Sequence, residues 1–125
     1  MNQSMVLLLA VACGLLTTAG QVILKVAVSE PSLVSLLGNG QVGLFLWRSL
    51  GTPMVLLGLV VYGLSAVLWL LVLARADVSY AFPLVSLGFV FTAVYAHFAL
   101  HEPLAGLRIA GIALIMAGVV CVSRS

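Results

Sequence analysis

A bundle of four membrane-spanning α-helices is the fold class this sequence predicts, and three observations predict it. Residues 54–74 carry no charged side chain, and about twenty such residues in a helix match the thickness of a bilayer's hydrocarbon core. Three more apolar runs flank that stretch, so that together the four use up most of the 125 residues. Hydrophobic residues make up 64% of the chain and charged ones 6%, against about a quarter charged in ordinary soluble domains. A water-soluble fold of this length could not hide so much apolar surface. Lipid offers the backbone no hydrogen bonds, which leaves helices or a closed barrel, and runs without period-two alternation are helices.

The first span is expected over residues 5–28, stopped by Glu30-Pro31 because a residue before proline is pushed out of the helical region. Residues 31–50 follow as an interfacial segment. Leu33, Leu36, Leu37, Leu44, Phe45 and Trp47 make it too apolar for a solvated loop, while Gly38-Asn39-Gly40 interrupts it. It predicts one or two short helical pieces with Trp47 and Arg48 at headgroup level; the alternative is an inward extension of the second span from Leu44. That second span, residues 53–75, opens on Pro53, a good first-turn residue. The third, 78–100, contains Pro83, which should kink it and free a carbonyl one turn earlier. The fourth, 104–122, follows His101-Glu102-Pro103, a proline entry with an acid near the positive end of the helix dipole. All of this is one transmembrane domain, residues 1–125, with no soluble domain.

Charge excludes several function classes. A net +2 carried by five scattered Lys and Arg residues is no footprint for nucleic acid. Cys13 and Cys121 lie in apolar runs and read as small apolar residues rather than a disulfide framework. The start Met1-Asn2-Gln3-Ser4 lacks the basic patch of a signal peptide, so the first run is read as a span. Phosphate-cradling glycine loops, paired catalytic carboxylates and nucleophile-base pairs are missing, which argues against an enzyme, and no cofactor is implied. His97 and His101, four apart, lack the further ligands of a metal site. With the N-terminus inside, Arg75 and Arg124 lie on one face and Lys25, Arg48 and Arg108 on the other. That weak bias predicts an antiparallel pair of small subunits.

Polar residues at membrane depth carry the functional signal, since each is costly unless it faces protein or water. Cys13, Thr17, Gln21 and Lys25 recur every four residues, along one slowly drifting stripe of the first helix. Lys25 could instead snorkel to the interface, and Gln21 could bond a neighbouring helix. The third span adds Ser79, Pro83 and Ser86, with Tyr80 beside them and Tyr95 further along; the serines could equally bond their own backbone. Glu102 is either a helix-start acid or the partner of a cation. Gly111, Ala113, Ala117 and Gly118 give the fourth helix small surfaces, including a small-xxx-small step, for close packing.

The segments Val78-Ser79-Tyr80-Ala81-Phe82-Pro83-Leu84-Val85-Ser86-Leu87, His101-Glu102-Pro103-Leu104 and Gly111-Ile112-Ala113-Leu114-Ile115-Met116-Ala117-Gly118-Val119-Val120 resemble the second half of the drug/metabolite transporter superfamily, which includes EamA-type and small multidrug resistance members. Gly20-Gln21, Lys25, Ala27 and the His-Glu-Pro step are similar to the small subunits of the flippase for 4-amino-4-deoxy-L-arabinose-phosphoundecaprenol. Small multidrug resistance exporters also carry a glutamate deep in their first helix; alignment on the shared lysine places Thr17 there. The resemblance implies one half of an antiparallel homodimer or heterodimer with a homologous subunit. The fourth helices would form the contact, through Gly111, Ala113, Ala117 and Gly118. The function it implies is flipping of an undecaprenyl-phosphate-linked sugar, an aminosugar for lipid A, across the bacterial inner membrane. Lys25 would then meet the phosphate, with Gln21, Thr17, Tyr80, Ser86 and Glu102 as further substrate contacts. A small multidrug or metabolite exporter and a non-transporting assembly factor are the alternatives.

Overall fold

A computed structural model describes residues 2–125 as seven helices joined by short turns. They are α1 (Gln3–Val28), α2 (Pro31–Gly38), α3 (Val42–Leu50), α4 (Pro53–Leu73), α5 (Val78–Val85), α6 (Leu87–Ala99) and α7 (Gly106–Ser123). Four stretches are long and apolar enough to cross a bilayer: α1, α4, α5 with α6 as Val78–Ala99, and α7. The protein is a four-span helical membrane bundle.

Local chemistry sets the ends of these helices. Asn2 caps α1 by accepting from the Met5 amide at 3.2 Å, so the helix starts at Gln3, two residues before the onset of the apolar run. Ser29 closes it, its amide donating to the Lys25 carbonyl at 3.1 Å and its hydroxyl at 2.5 Å. Pro31 and Pro53 each sit at the start of a helix, where a missing N–H costs nothing. Gly40 adopts φ 73° between α2 and α3, a conformation that favours glycine. Gly51 and Thr52 end α3 on the Trp47, Arg48 and Ser49 carbonyls, so residues 44–50 do not continue into the second span.

The third span is broken three residues after Pro83. Pro83 cannot donate to Ser79, and at Ser86 the ladder tightens, its amide shared between the Phe82 and Pro83 carbonyls at 3.2 and 3.1 Å. The span therefore consists of two arms, α5 and α6, that meet at Ser86. The fourth span starts at Gly106 rather than residue 104, because Ala105 is still extended at φ −66°, ψ 150°. Glu102 consequently lies outside the first turn of α7, and its reading as a helix-start acid is corrected.

α1 is the centre of the bundle, packing against α4, α5 and α6. Toward its N-terminal end Val6 meets Val72 and Ala81, and Ala10 meets Leu84 and Val119. Further along, two glycine crossings bring backbones together. An added Cβ at Gly20 would stand 3.0 Å from the Tyr62 amide nitrogen of α4; one at Gly14 would stand 3.4 Å from the Gly88 nitrogen of α6. Of the four spans α7 is the least buried, with Val119 its single buried residue. Gly111, Ala113, Ala117 and Gly118 do not pack inside the chain: a Cβ at either glycine would meet nothing within 4 Å, and both alanines are exposed.

His101 carries the link from α6 to α7 through a left-handed residue, φ 55°. The Leu100 and Glu102 amides both donate to the Ala96 carbonyl at 3.1 Å, and His97 Nδ1 lies 2.9 Å from the Glu102 carbonyl oxygen. A side chain in that region costs about 1–2 kcal/mol relative to the right-handed form, a penalty glycine escapes. His101→Gly is therefore expected to raise resistance to unfolding in sodium dodecyl sulfate by up to about 1 kcal/mol. His101→Val should lower it, since a β-branched residue is strained there.

Candidate functional site

Lys25 and Glu102 meet at the end of the bundle where α1 finishes and α7 begins. Lys25 Nζ lies 3.9 Å from Glu102 Oε1, with the two side chains 58% and 40% exposed. At that distance the charges are neighbours without a hydrogen bond, and exposure screens their attraction to about 1 kcal/mol at most. Each therefore remains open to a third partner. Gln21, Val22, Lys25, Thr92, Ala96, Leu100 and Glu102 surround a hollow of about 260 Å³. Glu102 also borders an adjoining hollow of about 200 Å³, together with His97 and Arg108. Arg108 Nη1 donates to the Pro103 carbonyl at 3.0 Å. The bay thus gathers two cations, one carboxylate and the amide and hydroxyl of Gln21 and Thr92, a set that suits an anionic group with a polar body.

Thr17 does not belong to this bay. A step of four residues turns a helix by about 40° beyond one full turn, so the stripe from Cys13 to Lys25 drifts across roughly a third of the helix's circumference. Thr17 and Cys13 line a separate hollow of about 290 Å³ with Tyr62, Ser65, Trp69, Phe82 and Val85. Cys13 is buried there, its thiol donating to the Ser65 carbonyl at 3.2 Å. Aromatic groups dominate this hollow, and it holds no carboxylate.

Ser86 and Tyr80 also stand apart. The Ser86 hydroxyl donates to the carbonyl of Pro83 in its own helix, which is the self-bonding alternative open to a serine. Tyr80 lies at the opposite end of the bundle, its hydroxyl accepting from Gln3 Nε2 at 3.3 Å. Of the six residues expected to contact substrate, the structure brings Gln21, Lys25 and Glu102 together and separates Thr17, Tyr80 and Ser86. His97 and His101 form no ligand cluster; no group of three His, Cys, Asp or Glu side chains converges among the described residues.

Sequence reasoning missed Thr92 and Arg108 as bay residues, and Thr18 as a support. Thr18 Oγ1 is buried within reach of the Gly14 and Gly88 carbonyls at 2.9 and 3.0 Å. Thr92 Oγ1 lies 2.7 Å from the Gly88 carbonyl and 3.2 Å from Thr18 Oγ1. These hydroxyls tie α6 to α1 one turn before the bay, so that Thr92 and Ala96 face Gln21 and Lys25. The available signal was Thr92 itself, a polar residue in the middle of an apolar span.

Known proteins resemble this chain along most of its length. It is 40% identical over 118 residues to a protein of Pseudomonas fluorescens, covering 94% of this chain and 96% of that one, which bears the name "Probable 4-amino-4-deoxy-L-arabinose-phosphoundecaprenol flippase subunit ArnE". A Pseudomonas aeruginosa protein of the same name is 38% identical over the same shares of both chains. A third, from Escherichia fergusonii, is 45% identical over 64 residues, or 51% of this chain and 58% of its own. No family model and no solved structure matches.

Proposed function

This chain belongs to the family of ArnE flippase subunits, and from that premise we propose that it helps carry an undecaprenyl-phosphate-linked aminosugar across the bacterial inner membrane. A transporter subunit of this kind carries out no covalent chemistry. The lipid tail stays in hydrocarbon throughout, so only the phosphate and sugar need polar partners on the way. Lys25 neutralises the phosphate, Gln21 and Thr92 offer hydrogen bonds to the sugar, and Glu102 faces the cationic amine. The observation that carries this reading is the loose Lys25–Glu102 pair beside an open hollow, which leaves both charges able to change partners.

The single chain supplies one side of the route. α7 exposes Ala113, Ala117 and Gly118, with Gly111 half-buried, and these small residues fall on two faces, Gly111 with Gly118 and Ala113 with Ala117, either of which fits a second copy or a homologous subunit packed in antiparallel orientation. Export of cationic drugs is disfavoured by Thr17, because its hydroxyl holds no titratable proton in the physiological range and its hollow has no acid.

Expression of the chain with its partner subunit in cells lacking the endogenous pair tests this. Mass spectrometry of lipid A should show the aminosugar restored, while resistance to quaternary ammonium compounds should stay at the empty-vector level. Robust proton-driven efflux of such compounds without aminosugar delivery would replace this reading with a multidrug exporter.

A further inference from the structure

The end of the bundle opposite Lys25 has a polar hollow of its own. It encloses about 430 Å³ and is lined by Gln3, Val6, Arg75, Ala76, Asp77, Ser79, Tyr80 and Ser125. The turn between α4 and α5 brings Arg75 and Asp77 here, where Ala74 and Ala76 amides close the end of α4 on the Leu70 and Val72 carbonyls. Among the described residues the Arg75 guanidinium makes no hydrogen bond and has no carboxylate within 4.0 Å. Asp77 starts α5 with its carbonyl, which accepts from the Tyr80 and Ala81 amides at 3.0 and 2.8 Å, while its side chain makes no cap. The Tyr80 hydroxyl accepts from Gln3 and keeps its own proton to donate.

This hollow repeats the chemistry of the Lys25 bay. Each has a cation, a carboxylate that does not lock it, a glutamine and a hydroxyl. Gln3 and Lys25 lie on the same helix, roughly 33 Å apart at 1.5 Å per residue, which is about the thickness of the hydrocarbon core. Arginine is also the side chain whose planar fork best fits phosphate oxygens. We infer that the Arg75 hollow is a second headgroup site, binding the phosphate-bearing head of the same class of lipid at the opposite face of the membrane. Arg75, Tyr80 and Ser79 donate to the phosphate, and Asp77 faces a cationic group on the head. This inference rests on the lipid-flipping role proposed above and adds the second place where the headgroup rests.

Native mass spectrometry tests it with the full chain and any co-purifying subunit in detergent, titrated with undecaprenyl phosphate and, as a tail-only control, undecaprenol. Relative to wild type, Arg75→Gln should lose one equivalent of bound undecaprenyl phosphate per chain or bind it about tenfold more weakly. Lys25→Met should lose the other, the double variant should lose both, Arg75→Lys should keep part, and undecaprenol uptake should not change. Should Arg75→Gln fail to fold, Tyr80→Phe with Ser79→Ala removes two donors from the same hollow and is expected to weaken binding in the same direction. Wild-type binding by Arg75→Gln, as an arginine that merely anchors the helix end predicts, overturns the second site. If Lys25→Met alone still removes binding, the lipid-flipping role survives that result. Loss of undecaprenol along with undecaprenyl phosphate would also overturn the second site, and indifference to both cations would overturn the two proposals together.

Discussion

Lys25→Met is expected to abolish delivery of the lipid-linked sugar while the protein still inserts and folds, and Lys25→Arg to keep part of it. Folding is spared because Lys25 is half exposed and its pair with Glu102 is long, so its loss costs about 1 kcal/mol or less. Transport is not spared, because a charge-assisted contact to phosphate contributes about 1.5–3 kcal/mol, which corresponds to roughly tenfold to a hundredfold in affinity. Arginine retains the charge but presents a planar fork where lysine offers a compact ammonium. Aminosugar on lipid A, measured at matched membrane levels of each variant, decides the matter. A lysine that only snorkels would tolerate methionine, so wild-type delivery by Lys25→Met would end its assignment to the phosphate.

Gly20→Val is expected to destabilise the bundle by about 1–3 kcal/mol, the usual cost of forcing extra atoms into a packed contact. The first added carbon already lies 3.0 Å from the Tyr62 nitrogen and 3.2 Å from the Gly58 carbonyl oxygen. Those are backbone atoms of α4 and cannot swing aside. At Gly58 an added Cβ would stand 2.8 Å from Leu24 Cγ, 2.9 Å from its Cδ2 and 3.2 Å from Ile23 Cγ2, side-chain atoms that can shift further than backbone can. Gly63→Ala on the same helix is the control, since nothing lies within 4 Å of its added methyl. Unfolding in mixed micelles should show a clear loss for Gly20→Val, a smaller one for Gly58→Ala and none for Gly63→Ala. Equal stability of the first and third variants would refute the close crossing of α1 and α4.

The four-helix bundle was legible because lipid imposes a long, charge-free run on every span, and such runs survive any detail of packing. Lys25, Gln21 and Glu102 were legible as polar residues in or beside apolar helices, though each also had a structural reading there. Their grouping was not. Four-residue spacing suggests one stripe, yet its drift takes Thr17 out of the bay, and only the packing of α4 and α6 on different sides of α1 reveals where the stripe divides. Ser86 reads alike whether it faces a cavity or its own backbone. Glu102 depends on a left-handed histidine and on Ala105 staying extended, both of which are outcomes of the link between α6 and α7. Thr18 and Thr92 find each other through two glycines whose spacing in the chain carries no hint of their contact.

The Lys25–Glu102 pair also sets an order of events in biogenesis. Membrane proteins are inserted as they are synthesised, and Lys25 emerges with the first span while Glu102 follows the third. Until then the lysine has only water and lipid headgroups for company. The bay therefore cannot exist in a chain halted after two spans, and it assembles only when the Thr18–Thr92 contact has drawn the third span against the first. If the bay holds the lipid as proposed, a nascent chain competent to bind it is one whose insertion has passed the third span, so that ligand binding would report on maturation as well as on transport.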